Sequence, residues 1–199
     1  GLKAQLVAPN KAAAVKYKEH FDAIGHITSE VLISPPDTRE GHERVEESKP
    51  ADTVVGFWGE MMTRWGNEEK YQEGLISQFK HSDDPEILIV VEKLLTGFDA
   101  PRNTVMYLTT RLVEHTLLQA IARVNRVLDT EGEGYKTDKD NGYIVDYEGI
   151  LKDLSDAFSS YDALAGFEVK ARKPASSLKY RLKSSQILES SVILWNIHN

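Results

Sequence analysis

Along this chain, short continuous apolar runs alternate with stretches in which apolar residues return every three or four positions. The first run, residues 4–8 (AQLVA), reads as a short buried strand. Pro9 punctuates it, and Asn10 stands where a helix N-cap belongs. Ala14, Tyr17, Phe21 and Ile24 follow at helical spacing until Gly25 ends the helix. Residues 31–33 (VLI) predict a second strand, and the polar stretch 34–50, with three prolines, predicts an exposed loop.

Two amphipathic helices come next. Val54, Trp58, Met61 and Trp65 line one face of the first; Tyr71, Leu75 and Phe79 line one face of the second. Residues 87–91 (ILIVV) are apolar without interruption, the pattern of a central parallel strand covered on both faces. A strand at 105–108 leads into a helix from about Glu114 to Leu128, and an acidic loop at 129–142 precedes a strand at 143–145. Leu151, Leu154, Phe158, Tyr161 and Ala165 mark one face of a last helix. Strands alternating with helices predict an α/β fold with a mainly parallel central sheet.

Composition changes this picture in two ways. The 199 residues are 41% hydrophobic and 28% charged, ordinary for a globular domain, and no apolar run approaches the ~18 residues of a membrane span. No signal peptide is expected, and the absence of cysteine from these 199 residues removes disulfide frameworks, thiol catalysis and cysteine-ligated zinc within them. A cytoplasmic setting fits. Charge, in contrast, divides the chain. Residues 1–169 hold 18 basic and 30 acidic side chains, a net of −12, whereas residues 170–199 hold six and one, a net of +5. The expected organisation is a domain at 1–169 followed by a basic, serine-rich tail at 170–199, or the start of a further helical region. A body this acidic does not point to nucleic acid through bulk charge, so any such role rests on a local site.

Two segments carry candidate chemistry. In LLQAIARVNR (117–126), Gln119, Arg123 and Arg126 fall within about 60° of one another on a helix surface. Leu117, Ile121, Val124 and Leu128 take the opposite side. Two guanidiniums and an amide on one face suit a phosphate, although a solvated polar face is the commoner reading of such a pattern alone. In LLTGFDAP (94–101), Thr96 and Gly97 offer a hydroxyl and an approachable backbone N–H, and Asp99 offers an acceptor for a ribose hydroxyl. This segment follows the most apolar strand, and ligands of open α/β sheets collect at the carboxyl ends of strands. Taken alone, an ordinary turn is the better reading.

Together the two segments resemble motifs V and VI of the motor (R) subunit of type I restriction enzymes, a branch of the superfamily-two helicases. The resemblance extends to QLVAPNKAAAVKYKEHFD, which is similar to motif IV, and to FKHSDDPEILIVVEKLLTGFDAP and GYIVDYEGI. It covers roughly residues 3–167. Ala122 stands where the commoner superfamily-two motif has glycine, and the family resembled here also has alanine.

The resemblance implies a RecA-like three-layer domain, the second helicase lobe of an ATP-dependent DNA translocase. It implies Arg126 as the arginine finger, Arg123 as a second phosphate contact, and Gln119, Gly97 and Asp99 on the nucleotide side. Asn10, Lys11 and Thr96 would touch the phosphate backbone of duplex DNA. The implied partners are a first RecA-like lobe of the same subunit, which with this one holds ATP and magnesium, and the methyltransferase and specificity subunits of the restriction complex.

No GxxxxGK[ST] occurs in the 199 residues, and no Asp-Glu pair follows a strand in the Walker B manner, so these residues alone are expected to be inactive. Pro36-Asp37 with Glu47-Ser48-Lys49 spells a PD…ExK nuclease signature, but the polar loop around it lacks the strands that hold such ligands. The acidic run at 138–142 fails as a calcium loop, because its glycine comes one position early and its twelfth position is Gly149. The six histidines show no metal-like spacing, and no GxSxG nucleophile elbow is present. Two alternatives stay open: another superfamily-two helicase lobe, and a non-catalytic RecA-like interaction module.

Overall fold

The computed structural model describes residues 1–36, 48–91, 100–112, 114–124, 142–149, 168–172 and 191–196. The elements run β1 (Lys3–Ala8), α1 (Lys11–Ile24), β2 (Ser29–Leu32), α2 (Ser48–Trp65), α3 (Glu68–His81), β3 (Ile87–Val91), β4 (Asn103–Leu108), α4 (Glu114–Val124), β5 (Tyr143–Asp146), β6 (Glu168–Arg172) and β7 (Ser191–Asn196). One sheet holds every described strand, in the order β2-β3-β1-β4-β5-β7-β6. The first five strands are parallel; β7 lies antiparallel to β5, and β6 antiparallel to β7. Helices flank the parallel part, and the fold is RecA-like α/β with a mainly parallel sheet.

Two details differ from the pattern reading. β3 is an interior strand, but β1 is the middle strand of the parallel five, paired with β3 on one side and β4 on the other. The two described pieces of the basic tail are strands, not helix: residues 191–196 (SVILWN) pair with the outer side of β5, which would otherwise present unpaired backbone groups.

Local chemistry explains the element boundaries. The Asn10 side chain accepts from the Ala13 N–H at 2.8 Å, capping α1. Gly25 closes the helix in the left-handed region (φ 71°), its N–H donating to the Phe21 carbonyl. Ala14 and Val15 are buried beneath α1, but Ile24 is 48% exposed. At 100° per residue Ile24 lies about 80° round the helix from Ala14, at the rim of the buried face. α2 starts at Ser48, so Pro50 falls in its first turn, where a missing N–H leaves no bond unmade.

α2 and α3 pack as a pair. Val54, Phe57 and Met61 from α2 and Tyr71, Leu75 and Phe79 from α3 enter the core, and the Trp58 and Tyr71 rings meet edge to face at 5.6 Å. Gly74 makes room for the Trp65 ring: a Cβ there would lie 2.1 Å from it. The Tyr71 hydroxyl donates to the Val31 carbonyl at 2.5 Å and accepts from the Ile33 N–H at 3.3 Å, both at the outermost strand. Burial raises the Tyr71 pKa well above its ordinary value, against the opposing pull of the Ile33 hydrogen bond. At the amino ends of the strands, buried Arg102 donates to the carbonyls of Gly1 (3.0 Å) and Ser82 (2.9 Å), and buried Lys3 to that of Pro85 (2.7 Å). This end of the sheet is tied to the end of α3.

Candidate nucleotide and nucleic-acid interface

The chain leaving β1 turns through α1 toward β2 on one side, while the chain leaving β4 turns through α4 toward β5 on the other. The two connections diverge between β1 and β4, which creates a crevice at the carboxyl edge of the sheet. Asn10 and Lys11 stand on one lip of it. The Asn10 carbonyl oxygen is committed to the helix cap, leaving its amide NH2 to face outward chemistry. The Lys11 ammonium donates to the Pro35 carbonyl, bracing the exit of β2. On the other lip, Thr109 donates twice to the Val7 carbonyl, from its backbone N–H at 3.2 Å and its hydroxyl at 2.8 Å. That clamp makes the two lips one rim. Arg111 is exposed just beyond it. Sequence reading passed over Thr109 and Arg111; the usable signal was a basic residue immediately past the carboxyl end of a strand.

The arginine helix leads away from this rim. α4 begins on the carboxyl side, after β4, and its eleven residues rise about 16 Å. Its last residue, Val124, packs against Gly142, which immediately precedes β5. Leu117, Ala120 and Val124 are buried; Gln119 is exposed and Arg123 half-buried. The predicted polar face therefore exists as far as Arg123, and its amide and guanidinium form a donor set suited to a polyphosphate. Arg126 lies outside the described residues.

Asn10 and Lys11 thus stand at the carboxyl edge, and Arg123 stands near the amino edge. Between them in sequence, Val91 ends β3 at the carboxyl edge. The chain is next described at residues 100–102, where the Ala100 carbonyl accepts from Asn103 N–H and the Arg102 carbonyl from Lys3 N–H, both at 2.9 Å and both at the amino edge. Thr96, Gly97 and Asp99 lie outside the described residues, in the stretch whose two ends are held at these opposite edges.

A cleft of about 700 Å³ opens elsewhere, at the amino ends of β2 and β3, between Lys18, Asp22, Thr28, Glu30, Arg64 and Asp84. Glu30 there takes Arg64 at 2.8 Å and Lys18 at 3.9 Å. Among the described site residues, Asn10, Lys11, Gln119 and Arg123 do not line it. The nuclease signature fares no better: Asp37 and Glu47 lie outside the described residues, while Ser48 and Lys49 open α2 and belong to no strand.

A family model for domain 3 of the type I restriction enzyme subunit R matches residues 3–149. The chain belongs to this family. Among its relatives, the type I restriction enzyme MjaVIIP endonuclease subunit of Methanocaldococcus jannaschii is 35% identical over 176 residues, covering 84% of this chain and 15% of that protein. The type I restriction enzyme HindI endonuclease subunit of Haemophilus influenzae is 41% identical over 103 residues, covering 51% of this chain and 9% of that protein. The chain therefore spans about 15% or less of the length of these R-subunit relatives. The matched domain ends at Gly149, so it takes in the rim, α4 and all five parallel strands. Among the described residues, no helix is long and apolar enough to cross a membrane.

Proposed function

We propose that this R-subunit domain is the second RecA-like lobe of an ATP-driven DNA translocase in a type I restriction endonuclease. One observation carries the reading: Asn10 and Lys11 occupy the carboxyl edge, Arg123 sits near the amino edge, and the stretch holding Thr96, Gly97 and Asp99 has one end at each. A motor needs that separation, because the part that grips a polymer and the part that senses a nucleotide must be distinct and mechanically joined.

ATP with magnesium, held on a first lobe across a cleft, would supply the phosphoryl group whose transfer drives movement. On this side of the cleft, Arg126 acts as the arginine finger, Arg123 contacts phosphate, and Gln119, Gly97 and Asp99 report nucleotide to the lobe. Asn10, Lys11 and Thr96 touch the DNA backbone without reading sequence, which remains the task of a specificity subunit; a methyltransferase subunit completes the complex, in the cytoplasm. Arginines acting from across such a cleft contribute on the order of 10³–10⁵ in rate. The test is ATP turnover by the complete subunit. Arg126→Ala should abolish it, and Arg126→Lys should fail nearly as badly, because the charge survives but the planar fork does not. Near-normal turnover in Arg126→Ala would remove the assignment.

A further inference from the structure

We infer, on the arginine-finger reading above, that Gly142 is a positioning residue for ATP turnover, acting through the end of α4. Gly142 is buried directly before β5. A Cβ built on it would lie 2.6 Å from the Val124 carbonyl oxygen, 2.8 Å from the Val124 carbonyl carbon and 2.9 Å from Val124 Cγ1. Two of those three atoms are backbone, which no change of rotamer can move aside. The Gly142 torsion is not left-handed, so the glycine is required by space alone.

The contact falls at a sensitive point. Val124 follows Arg123 directly and precedes Arg126 by two residues. Leu117 and Ala120 seat the earlier turns of α4, while its final residue rests on Gly142. Moving a contact from 2.6 Å to the 3.4 Å at which ordinary packing begins requires a shift of about 0.8 Å. The sheet cannot supply it cheaply, because β5 is locked in register with β4, Val105 to Tyr143 and Leu108 to Asp146. The end of the helix has to move, and with it Arg123, which immediately precedes Val124, and the point from which the chain leads on to Arg126 two residues later. A reacting constellation tolerates about 0.5 Å, and a misplacement of about 1 Å can cost 10²-fold in rate. The loss falls on kcat and spares KM, since a finger meets charge that develops only in the transition state.

The experiment measures DNA-stimulated ATP turnover by the complete subunit. Gly142→Ala inserts the methyl. Val124→Ala loosens the same contact without inserting anything, and serves if the first variant does not fold. Gly74→Ala creates a comparable clash far away, against Trp65, and controls for a general packing defect. Gly142→Ala should lower kcat about 30–100-fold and Val124→Ala several-fold, each with KM for ATP held within about twofold. Gly74→Ala should lower the melting temperature and leave kcat per folded molecule unchanged. A normal kcat in folded Gly142→Ala overturns the inference, as does a normal kcat in Val124→Ala if the former fails to fold. An equal fall in kcat from Gly74→Ala overturns it too. Arg123→Ala and Arg126→Ala are assayed alongside: normal turnover in both defeats the finger reading itself, whereas their collapse beside a normal Gly142→Ala defeats only the positioning role.

Discussion

The Tyr71 hydroxyl serves two backbone groups at once, so its removal is expected to cost more than an average hydrogen bond. Tyr71→Phe leaves the Val31 carbonyl and the Ile33 N–H buried without a partner, and should destabilise the domain by about 1–3 kcal/mol in denaturant unfolding. The same group makes stability depend on pH. Its pKa is raised on folding from an ordinary 10.0, so the folded state holds the proton more tightly than the unfolded chain. That contribution is complete below about pH 10 and is lost as pH rises further, a decline that Tyr71→Phe should lack. Asn10 separates two roles in one side chain. Asn10→Asp keeps an oxygen for the Ala13 N–H and so keeps the cap, but places a negative charge where a phosphate is proposed. The melting temperature should hold while the complete subunit needs several-fold more DNA for half-maximal ATPase stimulation. An unchanged DNA requirement would remove Asn10 from the interface.

Among the elements, α2 and α3 depend on one close approach. Gly74→Ala sets a methyl against the Trp65 ring, and should cost about 1–3 kcal/mol in thermal unfolding while leaving α4 in place. Most elements were legible beforehand because each announces itself locally. The 87–91 run can only be a buried segment, and Asn10 and Gly25 punctuate α1 through chemistry confined to a single turn. The polar face of α4 was legible for the same reason, as a periodicity along one helix. What escaped depends on partners distant in sequence. Gly142 looked like the glycine of a failed calcium loop, since nothing near it in the chain reveals that Val124 lies against it. Thr109 gave no signal because its acceptor, the Val7 carbonyl, is 102 residues away. The strands at 168–172 and 191–196 were missed because a basic, serine-rich composition outweighed a short apolar run that pairs with β5 on one side and β6 on the other.

Taken whole, the 199 residues hold one side of a proposed two-sided machine. Purified alone they should hydrolyse no ATP, because nothing in the sequence cradles its phosphates. They should bind duplex DNA weakly, and more weakly as salt rises, since a net charge of −7 opposes the few cations at the rim. DNA-stimulated hydrolysis by this chain, surviving controls for contamination, would defeat the two-lobe reading. The Tyr71 phenol has a further consequence, for how the sheet can be enlarged. A strand added beside β2 would need the Val31 carbonyl and the Ile33 N–H that the phenol already holds, so that flank is closed to another copy or a neighbouring segment. Among the described strands, the sheet is lengthened on the β5 side, where β7 and β6 lie. The sheet has one finished flank and one that can be lengthened, and lengthening it there leaves the crevice between β1 and β4 untouched.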